Sequence, residues 1–179
     1  MEIYNIDEEN QIIISKIEKG SLEILKKSIH WIQPKVQLFG KTYYPKRQVC
    51  TMGKSYKYNG DTSEEIPIIN CVQEIMEELN NKFSCKFNTC VANYYINGEA
   101  YISMHDDGEQ NSENIASVSY GDTRTFIVKN KENNKKYKFQ LSEHTILIMK
   151  GATFQQKWKH GINKQKNKDE RISLTFREY

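Results

Sequence analysis

Apolar and polar residues alternate without a break from Arg171 to Arg177: Ile172, Leu174 and Phe176 fall on one side, and Arg171, Ser173, Thr175 and Arg177 on the other. A period of two belongs to a β-strand with one face in the core. Shorter stretches of strand-like composition, bounded by turn residues, recur at about 88–96, 100–105, 116–120, 124–129, 137–141, 145–149 and 154–160. With the last strand these make eight, and short strands at such spacing predict a sandwich or jelly roll. Before residue 88 the period changes. Gly20-Ser21 opens a helix with Ser21 as its cap, Glu23 in the first turn, Leu22, Leu25 and Ile29 on one side, and Pro34 as its stop. Ile68, Val72, Ile75, Met76 and Leu79 form the stripe of a second helix. Residues 1–20 hold short apolar pieces such as Ile12-Ile13-Ile14 and no usable pattern. The expected architecture is mainly β with N-terminal helices, an α+β chain with a jelly-roll core. It is read as a single domain, 1–179, with the N-terminal helices and the aromatic and basic stretch between them within 1–88 and the jelly-roll core over 89–179.

One local signal competes with this plan. Asn97-Gly98 is the strongest two-residue hairpin signal in the chain. Such a turn would pair Tyr95 with Ala100 and put Met104, not His105, on the face of Tyr95. A longer loop or a bulge is expected there if Tyr95 and His105 share a pocket.

Composition adds bounds rather than direction. A chain of 179 residues, 37% hydrophobic and 27% charged, suits one soluble globular domain with a sizeable core. No apolar run approaches the ~20 residues that span a bilayer, and Met1-Glu2-Ile3-Tyr4 is no leader, so the expectation is an intracellular protein of nucleus or cytoplasm. Cys50, Cys71, Cys85 and Cys90 lack a C-x-x-C spacing and are expected as reduced thiols. A formal charge of +3 neither demands nor excludes a nucleic-acid partner. Lys157, Lys159, Lys164, Lys166 and Lys168 crowd around His160, as a solvated face or a phosphate-binding one.

The chemistry sits in the β half. His105 and Asp107, two apart in an extended strand, point to one face. His160, in Trp158-Lys159-His160, is the candidate third ligand, and two histidines with one carboxylate suit non-haem Fe(II) oxygenases. Arg171 and Arg177, about 20 Å apart along an ideal strand, could reach the two ends of a short dicarboxylate, although a solvated edge strand shows the same alternation. The same three ligands would serve a zinc hydrolase, which needs neither arginine facing the metal. Asp106 is expected to face solvent and His144 to be structural, and His30 has no evident partner.

Taken in order, Asn93-Tyr94-Tyr95, His105-Asp106-Asp107, the run from Ile115 to Phe126, the run from Thr145 to Thr153, Trp158-Lys159-His160 and Arg171 to Arg177 closely resemble the AlkB family. Its members are Fe(II)- and 2-oxoglutarate-dependent dioxygenases that demethylate nucleic-acid bases. An ordered set over roughly the last half of the chain is far more specific than any one motif. The resemblance implies a double-stranded β-helix and Fe(II), 2-oxoglutarate and O2 as cofactors. It implies His105, Asp107 and His160 as the catalytic iron ligands, with Asn93, Tyr95, Arg171, Ser173 and Arg177 around 2-oxoglutarate. Decarboxylation of that acid to succinate would accompany hydroxylation of an N-methyl group, which leaves as formaldehyde.

Val36 to Gly60, rich in aromatic and basic residues, resembles the nucleotide-recognition lid of members that act on duplex DNA. By that resemblance Phe39 would be the wedge left in the base stack, Tyr58 would stack on the flipped base, Tyr56 would contact its edge, and Lys46, Arg47 and Gln48 would line the lid. Two departures stand out: Ser173 replaces the family's usual Asn, and Gly108, followed by Glu109, stands where duplex-acting relatives carry a second acid. The second bears on base recognition, for which Glu109 is the nearby acid, more than on the chemistry. The expected activity is removal of 1-methyladenine and 3-methylcytosine from alkylated DNA, duplex or single-stranded, by a monomer that needs no membrane. RNA demethylation and a non-catalytic lesion-binding module are its rivals.

Overall fold

Two antiparallel sheets face each other, and the alternation along the chain decides which side chains lie between them. The computed structural model describes residues 1–179 except 39, 54–56, 59–60, 63–65 and 109–112. In chain order the first elements are β1 (Glu2–Asn5), β2 (Gln11–Lys16), α1 (Leu22–Ser28), β3 (Val36–Leu38), β4 (Lys41–Tyr43), β5 (Arg47–Gly53), β6 (Lys57–Tyr58), β7 (Asp61–Thr62) and α2 (Asn70–Phe83). Then follow β8 (Thr89–Tyr95), β9 (Ile102–His105), β10 (Asn114–Gly121), β11 (Arg124–Asn130), β12 (Lys136–Leu141), β13 (Thr145–Lys150), α3 (Phe154–Lys157), β14 (Trp158–Ile162) and β15 (Arg171–Arg177). The larger sheet runs β1-β2-β13-β10-β15-β8-β5 and the smaller β12-β11-β14-β9. Two short hairpins, β3-β4 and β6-β7, stand apart from both sheets.

This is a jelly roll, and each of the eight expected strands contributes to β8–β15. Ile172, Leu174 and Phe176 turn outward from the larger sheet and join Leu25, Val72, Ile75 and Leu79 of the two helices in one core. A second core fills the space between the sheets, with Ile115, Phe126, Val128, Leu141 and Leu147. The polar side of β15 therefore faces the interior of the roll and not solvent. No described helix is long and apolar enough to cross a membrane. Cys50, Cys71, Cys85 and Cys90 are free thiols.

Local expectations shift where long-range pairing intervenes. Ser21 caps α1 by accepting from the Ile24 amide at 3.4 Å, but the helix ends at Ser28, well short of Pro34. Past it, Ile32 forms a β-bridge with Val49 and the Trp31 indole donates to the Lys26 carbonyl, so the chain leaves the helix to reach the sheet. The stripe Val72, Ile75, Met76 and Leu79 is buried as its spacing requires, though α2 runs two residues later at its start and on to Phe83, where Ser84 adopts a left-handed conformation. Residues 2–5 and 11–16 are strands of the larger sheet: β2 pairs with β13, Ile14 opposite Leu147, an attachment that only the partner strand reveals. Arg47–Gly53, within the stretch that resembles the lid, is β5, the edge strand beside β8. Asn97-Gly98 makes no hairpin. β8 and β9 belong to different sheets, so the register conflict at Tyr95 and His105 is resolved by a crossing between layers. Finally, the expected strand at 154–160 begins with the single turn of α3.

Candidate active site

The pairing of β9 with β14 sets His105 opposite His160, with ring centroids 4.4 Å apart. A bulge follows, because Ile162 pairs with Ile102. Gly161 permits it: a β-carbon there would lie 2.9 Å from the Ile102 carbonyl oxygen. Asp107, just past the end of β9, brings Oδ1 within 3.9 Å of His105 Nε2 and Oδ2 within 3.5 Å of His160 Nε2. One ligand atom from each residue lies within 4.8 Å of the other two.

Neighbours fix each member. His105 Nδ1 donates to the Ser103 carbonyl at 2.8 Å, which leaves Nε2 with its lone pair toward Asp107. His160 stacks on Phe126 at 5.4 Å and is held neutral by burial, its pKa drawn down to about 4. The Asp107 amide donates to Gln155 Oε1 at 2.9 Å, and Oδ1 accepts from Arg177 at 2.6 Å. Burial alone would raise the Asp107 pKa, but Arg177 and the two histidines outweigh it and hold the carboxyl at about 2. The site thus keeps an ionised carboxylate beside the neutral imidazole of His160, protonation states that suit a divalent metal.

On the inner face of the larger sheet, Arg171 is fully buried and donates to Ser119 Oγ at 2.8 Å. It lies 5.2 Å from the Tyr95 ring, and Arg124 lies 5.6 Å from the same ring. Arg124 has its hydrogen bonds satisfied by carbonyls, donating to Ala100 and Asn163 at 2.9 and 2.8 Å. Arg171 has no such set: among the described residues its Nε and Nη1 are buried without a hydrogen-bond partner, as is Asp107 Oδ2. Burial lowers the Arg171 pKa only to about 10, so it is cationic at neutral pH. An uncompensated buried charge is expensive. A carboxylate ligand satisfies Arg171 and a cation satisfies Asp107, so the residues fit both a metal and a dicarboxylate.

The structure brings His105, Asp107, His160, Asn93, Tyr95, Arg171, Ser173 and Arg177 to the interior of the roll. Ser173 meets Ser117, hydroxyl to hydroxyl, at 3.0 Å. Arg47 donates through Nε to Asn93 Oδ1 at 3.1 Å, Gln48 is half-buried and Lys46 is exposed. Tyr58 lies on β6, while Phe39, Tyr56 and Glu109 lie outside the described residues. Asp106, instead of facing solvent freely, pairs with Lys131 at 2.8 Å. His144 packs edge-on against Tyr120, a structural place as expected. Of the lysines around His160, Lys157, Lys164 and Lys168 pair with Glu9, Glu99 and Asp122. Sequence reasoning passed over Gln155, Phe126, Arg124 and Ser119. Only for Arg124, inside Gly121-Asp122-Thr123-Arg124, did a turn signal hint at a special place.

A jelly roll with this triad on its smaller sheet and arginines on the facing one defines a class. The sequence matches the 2OG-Fe(II) oxygenase superfamily over residues 11–177, and the chain belongs to it. Its cofactors are accordingly Fe(II), 2-oxoglutarate and O2. Within that superfamily the chain is an AlkB-type oxygenase. It is 32% identical over 174 residues to alpha-ketoglutarate-dependent dioxygenase alkB homolog 3 of Mus musculus, covering 87% of this chain and 59% of that protein. To DNA oxidative demethylase ALKBH2 of Bos taurus it is 27% identical over 185 residues, covering 93% of this chain and 66% of that one. An uncharacterized protein of Acanthamoeba polyphaga mimivirus, R406, is 28% identical over 170 residues, 88% of each chain. The fold matches that of OsALKBH1 with a TM-score of 0.65 at 17% identity, over 93% of this chain and 97% of the other.

Proposed function

We propose that this oxygenase removes small alkyl groups from nucleobases in DNA, 1-methyladenine and 3-methylcytosine among them, as an intracellular monomer. The observation that carries the chemistry is the buried Arg171 guanidinium, whose Nε and Nη1 have no hydrogen-bond partner among the described residues, on the interior that also holds the His105-Asp107-His160 triad. A zinc hydrolase has no use for it. The substrate half of the reading rests on the similarity to a DNA oxidative demethylase and on the aromatic and basic stretch from Val36 to Gly60.

In this reading His105, Asp107 and His160 hold the metal, and Arg171 and Arg177 take the two carboxylate ends of 2-oxoglutarate. Asn93, Tyr95 and Ser173 complete that pocket. Bound Fe(II) supplies the chemistry that couples O2 and 2-oxoglutarate cleavage to oxidation of the N-methyl carbon. The chain itself orients and shields: Ser103 fixes the His105 tautomer, Phe126 and burial keep His160 neutral, and Arg177 keeps Asp107 ionised beside the cosubstrate. Phe39, Lys46, Gln48, Tyr56, Tyr58 and Glu109 form the base side.

The test loads protein with Fe(II) without oxygen, then adds O2, 2-oxoglutarate and a 1-methyladenine oligonucleotide as single-stranded DNA, duplex DNA or RNA. Base mass and succinate are followed together. Demethylation of DNA coupled to succinate, abolished by Asp107→Ala, is expected. Preference for RNA would move the substrate, succinate without demethylation would leave an oxygenase with another substrate, and neither product would leave a binding module. Phe39→Ala should cost at least about tenfold more on duplex than on single strands, consistent with loss of a wedge in the base stack. Equal losses would make Phe39 a packing residue.

A further inference from the structure

Arg47, which the resemblance groups with the lid residues, belongs to the edge strand of the larger sheet. It lies on β5 directly opposite Tyr95, which on its other side pairs with Arg171, so Arg47, Tyr95 and Arg171 form one row across the inner face of the larger sheet. The next row is Val49, Asn93 and Ser173. Gln48, one residue on, pairs with Tyr94 and turns to the opposite face, so alternation separates two residues that the lid reading groups together. Arg47 reaches diagonally from its own row to the next, and its Nε donates to Asn93 Oδ1 at 3.1 Å.

That contact settles which way the Asn93 amide faces. A guanidinium has donors and no acceptor, so it can engage only the oxygen of an amide. With Oδ1 turned to Arg47, Nδ2 is the prong left for the interior, and among the described residues no acceptor takes it. A dicarboxylate carries only acceptor oxygens along its edge and needs a donor there; an amide turned the other way would present a lone pair to an anion.

We propose that Arg47 is a positioning residue for the cosubstrate, holding Asn93 with its amide nitrogen toward 2-oxoglutarate, and not a nucleic-acid contact. The proposal rests on Asn93 belonging to the 2-oxoglutarate pocket. Because Arg47 follows the β3-β4 hairpin after only Tyr44-Pro45-Lys46, it also ties that hairpin to the cosubstrate side of the site.

The experiment measures two affinities on Mn(II)-loaded full-length protein without turnover: 2-oxoglutarate by calorimetry, and a single-stranded oligonucleotide by fluorescence anisotropy. Arg47→Met should weaken 2-oxoglutarate binding about tenfold, as expected for losing one hydrogen bond that orients a charged ligand's donor. Oligonucleotide affinity should stay within about twofold. Arg47→Lys, which keeps a donor near Oδ1, should recover part of the loss, and Arg47→Met should add nothing in an Asn93→Ala background. Asn93→Asp keeps an oxygen for Arg47 but presents a second oxygen to the cosubstrate, so it should weaken 2-oxoglutarate more than Asn93→Ala does. A merely structural bond would make Asn93→Asp harmless. Normal 2-oxoglutarate binding with weakened oligonucleotide binding in Arg47→Met would overturn the proposal, as would additive losses in the double variant. Failure of the Mn(II)-loaded wild type to bind 2-oxoglutarate would instead sink the functional reading beneath it.

Discussion

Asp107 accepts from Arg177 at 2.6 Å while two imidazoles flank it, and its charge and that of His160 shape how the metal-free protein answers to acid. His160 has a folded pKa of about 4, below its ordinary 6.5, because burial disfavours the cation. The unfolded chain therefore binds more protons between those values, and this contribution to stability is complete above pH 6.5 and lost as pH falls toward 4. Asp107 adds a second, lower window: its stabilisation is present above its ordinary 3.8 and lost as pH falls through about 2. The melting temperature of metal-free protein should fall between pH 7 and 4.5, less steeply in His160→Gln, and parallel curves would refute the assignment to His160. Arg171 makes a different prediction. Its Nε and Nη1 are buried and have no hydrogen-bond partner among the described residues, so replacing it by Met removes a charge that the cosubstrate-free protein must bury at a cost. Arg171→Met should melt no lower than wild type without 2-oxoglutarate, yet show none of the upward shift that 2-oxoglutarate with Mn(II) gives wild type. A strongly lowered melting point without ligand would mean that its bond to Ser119 matters more than its burial.

At the scale of elements, short irregular pieces hold the triad's strands in place. α3 is four residues long and interrupts what reads as a strand, and its turn delivers Gln155 to the Asp107 amide. On the opposite side, the connection from β8 to β9 is clipped to the one before β15. The Gly98 amide donates to Lys168 O at 2.9 Å, the Gln165 amide to Gly98 O at 3.0 Å, and Arg124 binds carbonyls of both segments. A β-carbon at Gly98 would lie 1.8 Å from the Gln165 carbonyl oxygen. Gly98→Ala should therefore destabilise by at least ~2 kcal/mol, since backbone has to move. Urea unfolding measures it, and an unchanged midpoint would show the clip to be dispensable.

For the molecule as a whole, the larger sheet separates two cores, one under the helices and one inside the roll. If the chain is one domain, both melt together. Leu79→Ala and Leu141→Ala, one fully buried residue from each core, should each cost ~2–5 kcal/mol and shift a single calorimetric transition; two separable transitions would divide the chain. By itself the sequence determined the alternation of β15, the places of β8–β14 to within a few residues, the buried stripe of α2 and the residue types able to bind metal and anion. Those follow from local periodicity and side-chain chemistry, which a linear chain carries in full. It did not determine that β1 and β2 extend the sheet, that Asn97-Gly98 crosses between layers, or that α1 stops before Pro34. Each depends on a partner far along the chain: β13 for β2, the 163–168 segment for Gly98, Val49 for Ile32. Tertiary structure alone turned the polar side of β15 inward, left Arg171 Nε and Nη1 buried without a hydrogen-bond partner among the described residues, and brought Arg47 to the amide of Asn93, because burial and register are properties of pairs and not of positions.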